Sequence, residues 1–399
     1  MRVAAVVQRY GATVAGGAER LAREVCTRLA AGGDEVTVLT TTARDYVTWR
    51  NELPAGAADD TGVAVRRFAV ASEREPDAFQ ALSARVFREG AMPTLEDELG
   101  WIRAQGPDSP GLLAALWRER TLHDAWLFFT YLYAPTALGV PIAPQRAVLV
   151  PLAHNEAPIY LRTFKNLFRL PRALLFQTPE EQELVERVVP RNTVRGEVVG
   201  CGVDLAPASA PEAAWPASVP PGARYLLYLG RLDPSKGVGE LLDAFASWRA
   251  TRGGALALVL AGEAAMELHA AQGVVVPGFV SEDERDRLLA HAEVVIQPSR
   301  FESLSLVALE AWARGRAVLG QRGSDVLVGQ IGRSGGGFVW GEPAELHALL
   351  DRLAAGDAAF AEAGRAGRRF VEATGSWERV IERYRAALVT AASGAPRAA

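Results

Sequence analysis

"RVAAVVQRYGATVAGGAERLAREVCTRLAAGGDEVTVLTTT", residues 2–42, reads as strand, loop, helix, strand. The run "RVAAVV" is short and apolar. A loop holding Gly16 and Gly17 follows it. "AERLAREVCTRLAAGG" carries helical spacing of apolar residues and ends in glycine; β-branched "DEVTVLTTT" follows at once. That order predicts a parallel strand pair joined by a right-handed crossover.

The alternation continues outward from this unit. "VAVRRFAV" adds a strand. Residues 72–124 then break the rhythm with three helical stretches, "DAFQALSARVFREG", "TLEDELGWIRAQ" and "GLLAALWRERTL". Strand-like runs resume in "AWLFFTYLY", "RAVLVPLA", "ALLFQT" and "GEVVG". Residues 203–223 are rich in Pro, Ala and Ser and read as a linker. Beyond it come "YLLYLG", a helix from about Gly237, "ALALVLAGE", "GVVVPGFV", a helix from Ser281, "EVVIQPS", the helix of "SLSLVALEAWARG", and "AVLG". Strands that are continuous apolar runs, alternating with helices, predict sheets covered on both faces. The fold class is therefore α/β, with two doubly wound Rossmann-like domains. We place the first domain at 1–203, with 72–124 as a helical insertion, and the second at 204–375. Residues 376–399 form an amphipathic helix, "SWERVIERYRAALVTAA", and a disordered tail, "SGAPRAA".

Composition narrows the function classes. The chain has 399 residues, 49% hydrophobic and 23% charged, with net charge −4. A mildly acidic balance gives no electrostatic reason to expect nucleic acid. Two cysteines, Cys26 and Cys201, make neither a disulfide framework nor a metal cluster. The first residues lack a cleavage site, and no apolar run approaches a membrane span, so we expect a cytoplasmic protein. The segment "IYLRTFKNLFRLPRALLF", 159–176, interleaves Arg162, Lys165, Arg169 and Arg172 with apolar residues. It predicts either a helix packed on its own domain or peripheral contact with the inner face of the cell membrane.

The chemistry-bearing residues fall at strand ends. Arg231 and Lys236 follow "YLLYLG" and precede a helix, which makes an anion site. Positive charge in this chain is otherwise almost all arginine; the lysines are Lys165 and Lys236. Glu302 follows "EVVIQPS", and Glu310 interrupts the apolar run Leu304–Trp312. A buried carboxylate needs a partner. Arg314, four residues on, is one candidate; the vicinal diol of a bound ribose is the other and the one we expect. The N–H groups of Ser303, Leu304 and Ser305 are expected free at a helix N-terminus, facing phosphate. Gly16 and Gly17 let backbone approach a ligand, while G-x-G-x-x-G is missing at that turn, which argues against a nicotinamide dehydrogenase. His154 in "VLVPLAHNEAPIY" ends a strand and is the one histidine read as functional. His123, His269, His291 and His347 read as structural residues in helical segments. No Ser-His-Asp elbow, zinc pattern or strand-end Asp-x-Asp appears, so no metal site is expected.

With these residues in order, the chain resembles glycosyltransferase family 4, retaining enzymes of the GT-B fold with two domains facing a central cleft. Gly16-Gly17-Ala18-Glu19 matches its glycine loop, His154 its histidine, Arg231 and Lys236 its phosphate-binding cations, and Glu302 and Glu310 its E-x7-E pair. The resemblance implies hexose transfer from a UDP- or GDP-linked sugar to a sugar, lipid-linked or small-molecule acceptor, without cofactor or metal. Glu302, His154, Arg231 and Lys236 would be catalytic. Gly16, Gly17, Phe279, Val280, Ser303, Leu304, Ser305 and Glu310 would complete the donor site, with backbone at Phe279 and Val280 meeting the base. The departing phosphate would help deprotonate the acceptor on the same face, retaining configuration. The chain departs from the family at Ser303-Leu304-Ser305, where Gly-Phe-Gly is usual, and at Asn155, where Asp is frequent. Two other readings use the same fold: a sugar-nucleotide 2-epimerase, and a non-catalytic nucleotide-sugar-binding module.

Overall fold

The computed structural model describes residues 1–14, 16–189, 195–205, 214–268 and 272–394. Part of the linker, His269 and the end of the tail lie outside them. The chain divides into two compact units, Met1–Gly200 with Glu378–Ala399, and Cys201–Trp377.

The first unit is built on an eight-stranded sheet: β1 (Arg2–Val6), β2 (Glu35–Thr41), β3 (Gly56–Asp60), β4 (Val63–Phe68), β5 (Ala125–Phe129), β6 (Ala147–Val150), β7 (Ala173–Phe176) and β8 (Gly196–Val198). Their order is β3-β4-β2-β1-β5-β6-β7-β8. Every neighbouring pair is parallel except β3 with β4. β1 and β5 lie at the centre and are apolar along their length because both faces are covered; Val3 to Val6 and Ala125 to Phe129 are all fully buried. The block 72–124 forms the helices Pro76–Val86, Leu95–Gln105 and Pro110–Glu119 with no strand between them. Trp101 on the second packs edge-on against Phe164 and Phe87.

The helix Trp377–Ala392 belongs to this unit. Arg385 on it donates to Asp34 Oδ2 at 2.9 Å and to the Gly32 carbonyl at 2.6 Å. Tyr384 is fully buried, and its hydroxyl accepts from Gln177 Nε2.

The second unit holds six parallel strands: β9 (Tyr225–Leu229), β10 (Ala257–Ala261), β11 (Val274–Gly278), β12 (Val294–Gln297), β13 (Ala317–Gln321) and β14 (Gly337–Trp340). Their order, β11-β10-β9-β12-β13-β14, places the switch point between β9 and β12. One helix here carries Glu310, and its seat is set by Trp312. That side chain is fully buried and donates from Nε1 to the Gly336 carbonyl at 2.7 Å. A Cβ at Gly367 would fall 2.2 Å from the Trp312 ring, and one at Gly336 would fall 2.3 Å from its Nε1. Both positions must be bare for the indole to fit. The helix Ala359–Thr374 therefore lies close against Leu306–Ala313 and fixes its rotation.

Candidate functional site

The loops after β9 and β12 meet at the switch point, where open α/β sheets bind ligands. Asp233 caps the short turn Pro234–Lys236, accepting from the Ser235 N–H at 2.8 Å and hydroxyl at 2.6 Å. Burial pushes the Asp233 carboxyl up, but the two Ser235 bonds and Arg231 outweigh it, so its pKa lies below the ordinary aspartate value. Gly237 then adopts φ 72°, and a Cβ there would sit 2.6 Å from the Pro298 carbonyl oxygen. Glycine at this point lets the two loops touch and opens the helix Val238–Arg252.

The same turn presents the cations. Arg231 Nε lies 3.1 Å from Asp233 Oδ2, and the Tyr228 hydroxyl donates to the Arg231 carbonyl at 2.8 Å. Burial, then the nearby Glu302 carboxylate, push the Tyr228 phenol up, so it stays a donor. Lys236 Nζ lies 2.9 Å from Glu302 Oε1, with the two side chains 33% and 13% exposed. Two residues chosen separately from sequence, 66 positions apart, are thus in direct contact.

The helix after Glu302 differs from expectation. It runs Leu306–Ala313, with Ser305 as its N-cap and the Ser305 hydroxyl accepting from Ala308 N–H. Ser305 N–H is not free; it donates to Gln330 Oε1 at 3.2 Å. The expected triplet of open N–H groups at Ser303, Leu304 and Ser305 is therefore corrected. Serine caps better than it starts a helix, so the first helical N–H groups belong to Leu306 and Val307.

Glu310 is buried, and the arginine it meets is not Arg314. Arg285 Nη2, on the helix Glu282–His291, donates to Glu310 Oε2. Arg314 instead pairs with Asp286 at 2.7 Å. The expectation that a ligand alone partners Glu310 is corrected accordingly. Sequence reading missed Arg285, which sits in the charge-rich run "SEDERDR" where nothing distinguishes it from its neighbours. Phe279 and Val280 lie in the loop between β11 and that helix; Phe279 is 69% exposed.

His154, Gly16 and Gly17 belong to the other unit. His154 lies past β6, its Nδ1 3.4 Å from Glu156 Oε1, which also accepts from the Tyr131 hydroxyl at 3.1 Å. Its loop is anchored from below by a residue sequence reading passed over. Glu181 is buried and accepts from the N–H groups of Ala153 at 2.7 Å and Gln177 at 2.6 Å. Burial pushes the Glu181 carboxyl up to about 8 against the pull of those bonds.

Gly17 begins the helix Gly17–Ala31, and Gly16 precedes it at φ 152°. A Cβ at Gly16 would fall 2.0 Å from Glu19 Oε2 and 3.2 Å from Arg9 Nη2. The bare position therefore accommodates an internal ion pair. Arg9 Nη2 lies 2.6 Å from Glu19 Oε1, which also accepts from Gln8 Nε2 at 2.9 Å. Arg9 Nη1 donates to the Arg44 carbonyl. Burial lowers the Arg9 pKa, but the carboxylate of Glu19 outweighs it and the guanidinium stays charged.

His123 lies in the turn between Pro110–Glu119 and β5, not in a helix; its ring packs edge-on against Trp126. His291 packs against Trp215, and His347 Nε2 lies 2.9 Å from the Ala244 carbonyl. Cys26 and Cys201 are free and buried. In segment 159–176, Ile159, Leu161, Phe164, Leu167, Phe168, Leu174 and Phe176 are buried in the unit's core. Tyr160 is 50% exposed and Leu170 is partly buried, and among the described residues no helix is long and apolar enough to cross a membrane.

Solved structures share this architecture over nearly the whole chain. A sucrose-phosphate synthase from Thermosynechococcus elongatus superposes with TM-score 0.70 at 17% identity, covering 97% of this chain and 98% of that one. Trehalose-6-phosphate from E. coli bound with UDP-2-fluoro glucose gives 0.68 at 15%, covering 98% and 99%. The fold is GT-B. Within this GT-B chain, residues 223–355 match the family model described as Glycosyl transferases group 1. That stretch contains Arg231, Lys236, Arg285, Glu302 and Glu310. A glycogen synthase of Mycobacterium tuberculosis is 32% identical over 176 residues, 40% of this chain and 41% of that protein. An MMP alpha-(1->4)-mannosyltransferase of Mycolicibacterium hassiacum is 33% identical over 156 residues, 37% and 38% of the two chains. The matched stretches span about two fifths of those relatives' length.

Proposed function

We propose that this protein is a retaining glycosyltransferase that moves a hexose from a nucleotide-diphosphate sugar, held by the second unit, to a carbohydrate or glycolipid acceptor. The observation that carries the reading is the Lys236–Glu302 contact at the β9/β12 switch point, with Arg231 on the same loop as Lys236. A partly exposed Lys–Glu pair is worth about 0–1 kcal/mol. A diphosphate, with more charge than one carboxylate, displaces Glu302 from Lys236 at little cost. Lys236 and Arg231 then face phosphate oxygens, and Glu302 is released to the hydroxyls of the transferred sugar. The N–H groups of Leu306 and Val307 add donors at the start of a helix, where negative charge is favoured. Glu310 takes the ribose, and the loop at Phe279 and Val280 takes the base.

Catalysis in this reading is stabilisation of the leaving diphosphate together with positioning. The departing phosphate accepts the acceptor proton on the face it leaves, so configuration is retained without a separate general base. His154 contacts the sugar or guides the acceptor, and the donor is bound without metal. Relatives support a UDP donor: one structure of Anabaena HepE holds UDP and glucose, and it covers 97% of this chain at TM-score 0.67.

The test is turnover with UDP-glucose and GDP-mannose against a panel of free sugars, sugar phosphates and glycolipids, with product configuration read by NMR. Acceptor-dependent nucleotide release and a product of the donor's own anomeric configuration are expected. An inverted product, or conversion of the donor to its 2-epimer without acceptor, contradicts the reading.

A further inference from the structure

Arg285 and Glu310 come from helices that follow different strands, β11 and β12. Their side chains are 14% and 11% exposed. The other ion pairs of the Glu282–His291 helix are of another kind. Arg287 pairs with Asp283 and Arg314 with Asp286, and in both the acid is more than half exposed, at 74% and 54%. Arg285 also lies 4.0 Å from Glu282, whose side chain is 78% exposed, but its hydrogen bond goes inward to Glu310. A largely buried ion pair adds little stability over apolar packing of the same volume. Stability alone therefore gives no reason for a charge at Glu310, two residues before the apolar anchor Trp312.

The geometry does give one. A carboxylate has about four acceptor positions on two oxygens, so a guanidinium on Oε2 leaves capacity for further donors. The contact runs from Nη2 to Oε2, and it restrains the carboxylate from one side with a guanidinium whose donors are fixed in a plane, unlike the flexible ammonium of a lysine. We propose that Arg285 is a positioning residue that holds the Glu310 carboxylate turned to receive both hydroxyls of the donor's ribose. This rests on the role given to Glu310 above. It adds a residue that touches no part of the donor yet sets its discrimination between ribose and deoxyribose.

The experiment is calorimetric titration of the full chain with UDP and with 2′-deoxy-UDP, for wild type, Glu310→Gln, Arg285→Ala and Arg285→Lys. Hydrogen bonds to a charged group predict that wild type prefers UDP by about ten- to hundredfold. Glu310→Gln abolishes that preference. Arg285→Ala loses most of it while affinity for 2′-deoxy-UDP stays within about threefold, and Arg285→Lys falls between. A wild-type preference in Arg285→Ala overturns the inference and leaves the pair a structural one. A wild-type preference in Glu310→Gln overturns the role of Glu310 itself, and the inference with it. If Arg285→Ala does not fold, Arg285→Lys decides: undiminished preference there overturns the inference, and partial loss supports it.

Discussion

Each unit has its own switch point, β1 against β5 in the first and β9 against β12 in the second, and each places a cation just beyond its leading strand. The two cations are used differently. Arg9 is 6% exposed and is held by Glu19 and the Arg44 carbonyl. Lys236 is 33% exposed and meets Glu302 at a rim that solvent reaches. Strand-end position alone therefore does not make a binding site. What separates the two is the cost of exchanging partners: several kcal/mol for a pair buried on both sides and less for one whose lysine is a third exposed. The first unit spends its cation on holding a loop, and the second keeps its cation for a ligand.

The sharpest break of that comparison is Arg9→Ala. It removes the cationic partner of the buried Glu19, leaving Gln8 as its side-chain donor, and is expected to cost about 3–5 kcal/mol in denaturant unfolding. A loss under about 1 kcal/mol would mean that the first switch point is as open as the second. Next is Lys236→Ala, expected to lower turnover about 10²–10³-fold, the usual cost of removing one donor to a developing charge. Its stability should move by no more than about 1 kcal/mol. A large stability loss with intact turnover would reverse the roles of the two cations.

Gly262→Ala comes third. A Cβ there would lie 1.9 Å from the Gly230 carbonyl oxygen, at φ 155°. Overpacking predicts a loss of about 1–3 kcal/mol by thermal unfolding, with weakened nucleotide binding because the Gly230–Arg231 turn must shift.

The smallest effect concerns pH. The Asp233 pKa is depressed in the folded protein, so its contribution is present above the unfolded aspartate value. It is lost as pH falls through the lower, folded value. Asp233→Asn should flatten that acid limb of the stability profile, measured by unfolding between about pH 2 and 6. An unchanged profile would show that the turn is held without the cap.

Much of the architecture was legible because buried parallel strands announce themselves as apolar runs. Two strands were not. β3, "GAADD", is built of poor strand formers and is exposed almost throughout; it exists by pairing antiparallel to β4 at the sheet edge. β14, "GFVW", lies among glycines and shows no alternation. "AWLFFTYLY" reads as one strand, but β5 stops at Phe129 and Thr130 turns at φ 62°. In the candidate site, Arg231, Lys236 and Glu302 were readable from strand-end position. Arg285 and Glu181 were not, since Arg285 meets Glu310 25 positions away, Glu181 holds backbone N–H groups that no side-chain pattern marks, and neither interrupts an apolar pattern as Glu310 does.

The central claim is that the β9/β12 switch point holds a nucleotide diphosphate. Calorimetric titration of the wild-type chain and Lys236→Ala with UDP, GDP and ADP tests it most directly. One nucleotide should bind the wild type, and its affinity should fall at least about tenfold in the variant, the effect of one lost charge-assisted contact. Equal affinity in the two proteins, or no binding of any nucleotide to the wild type, would contradict it.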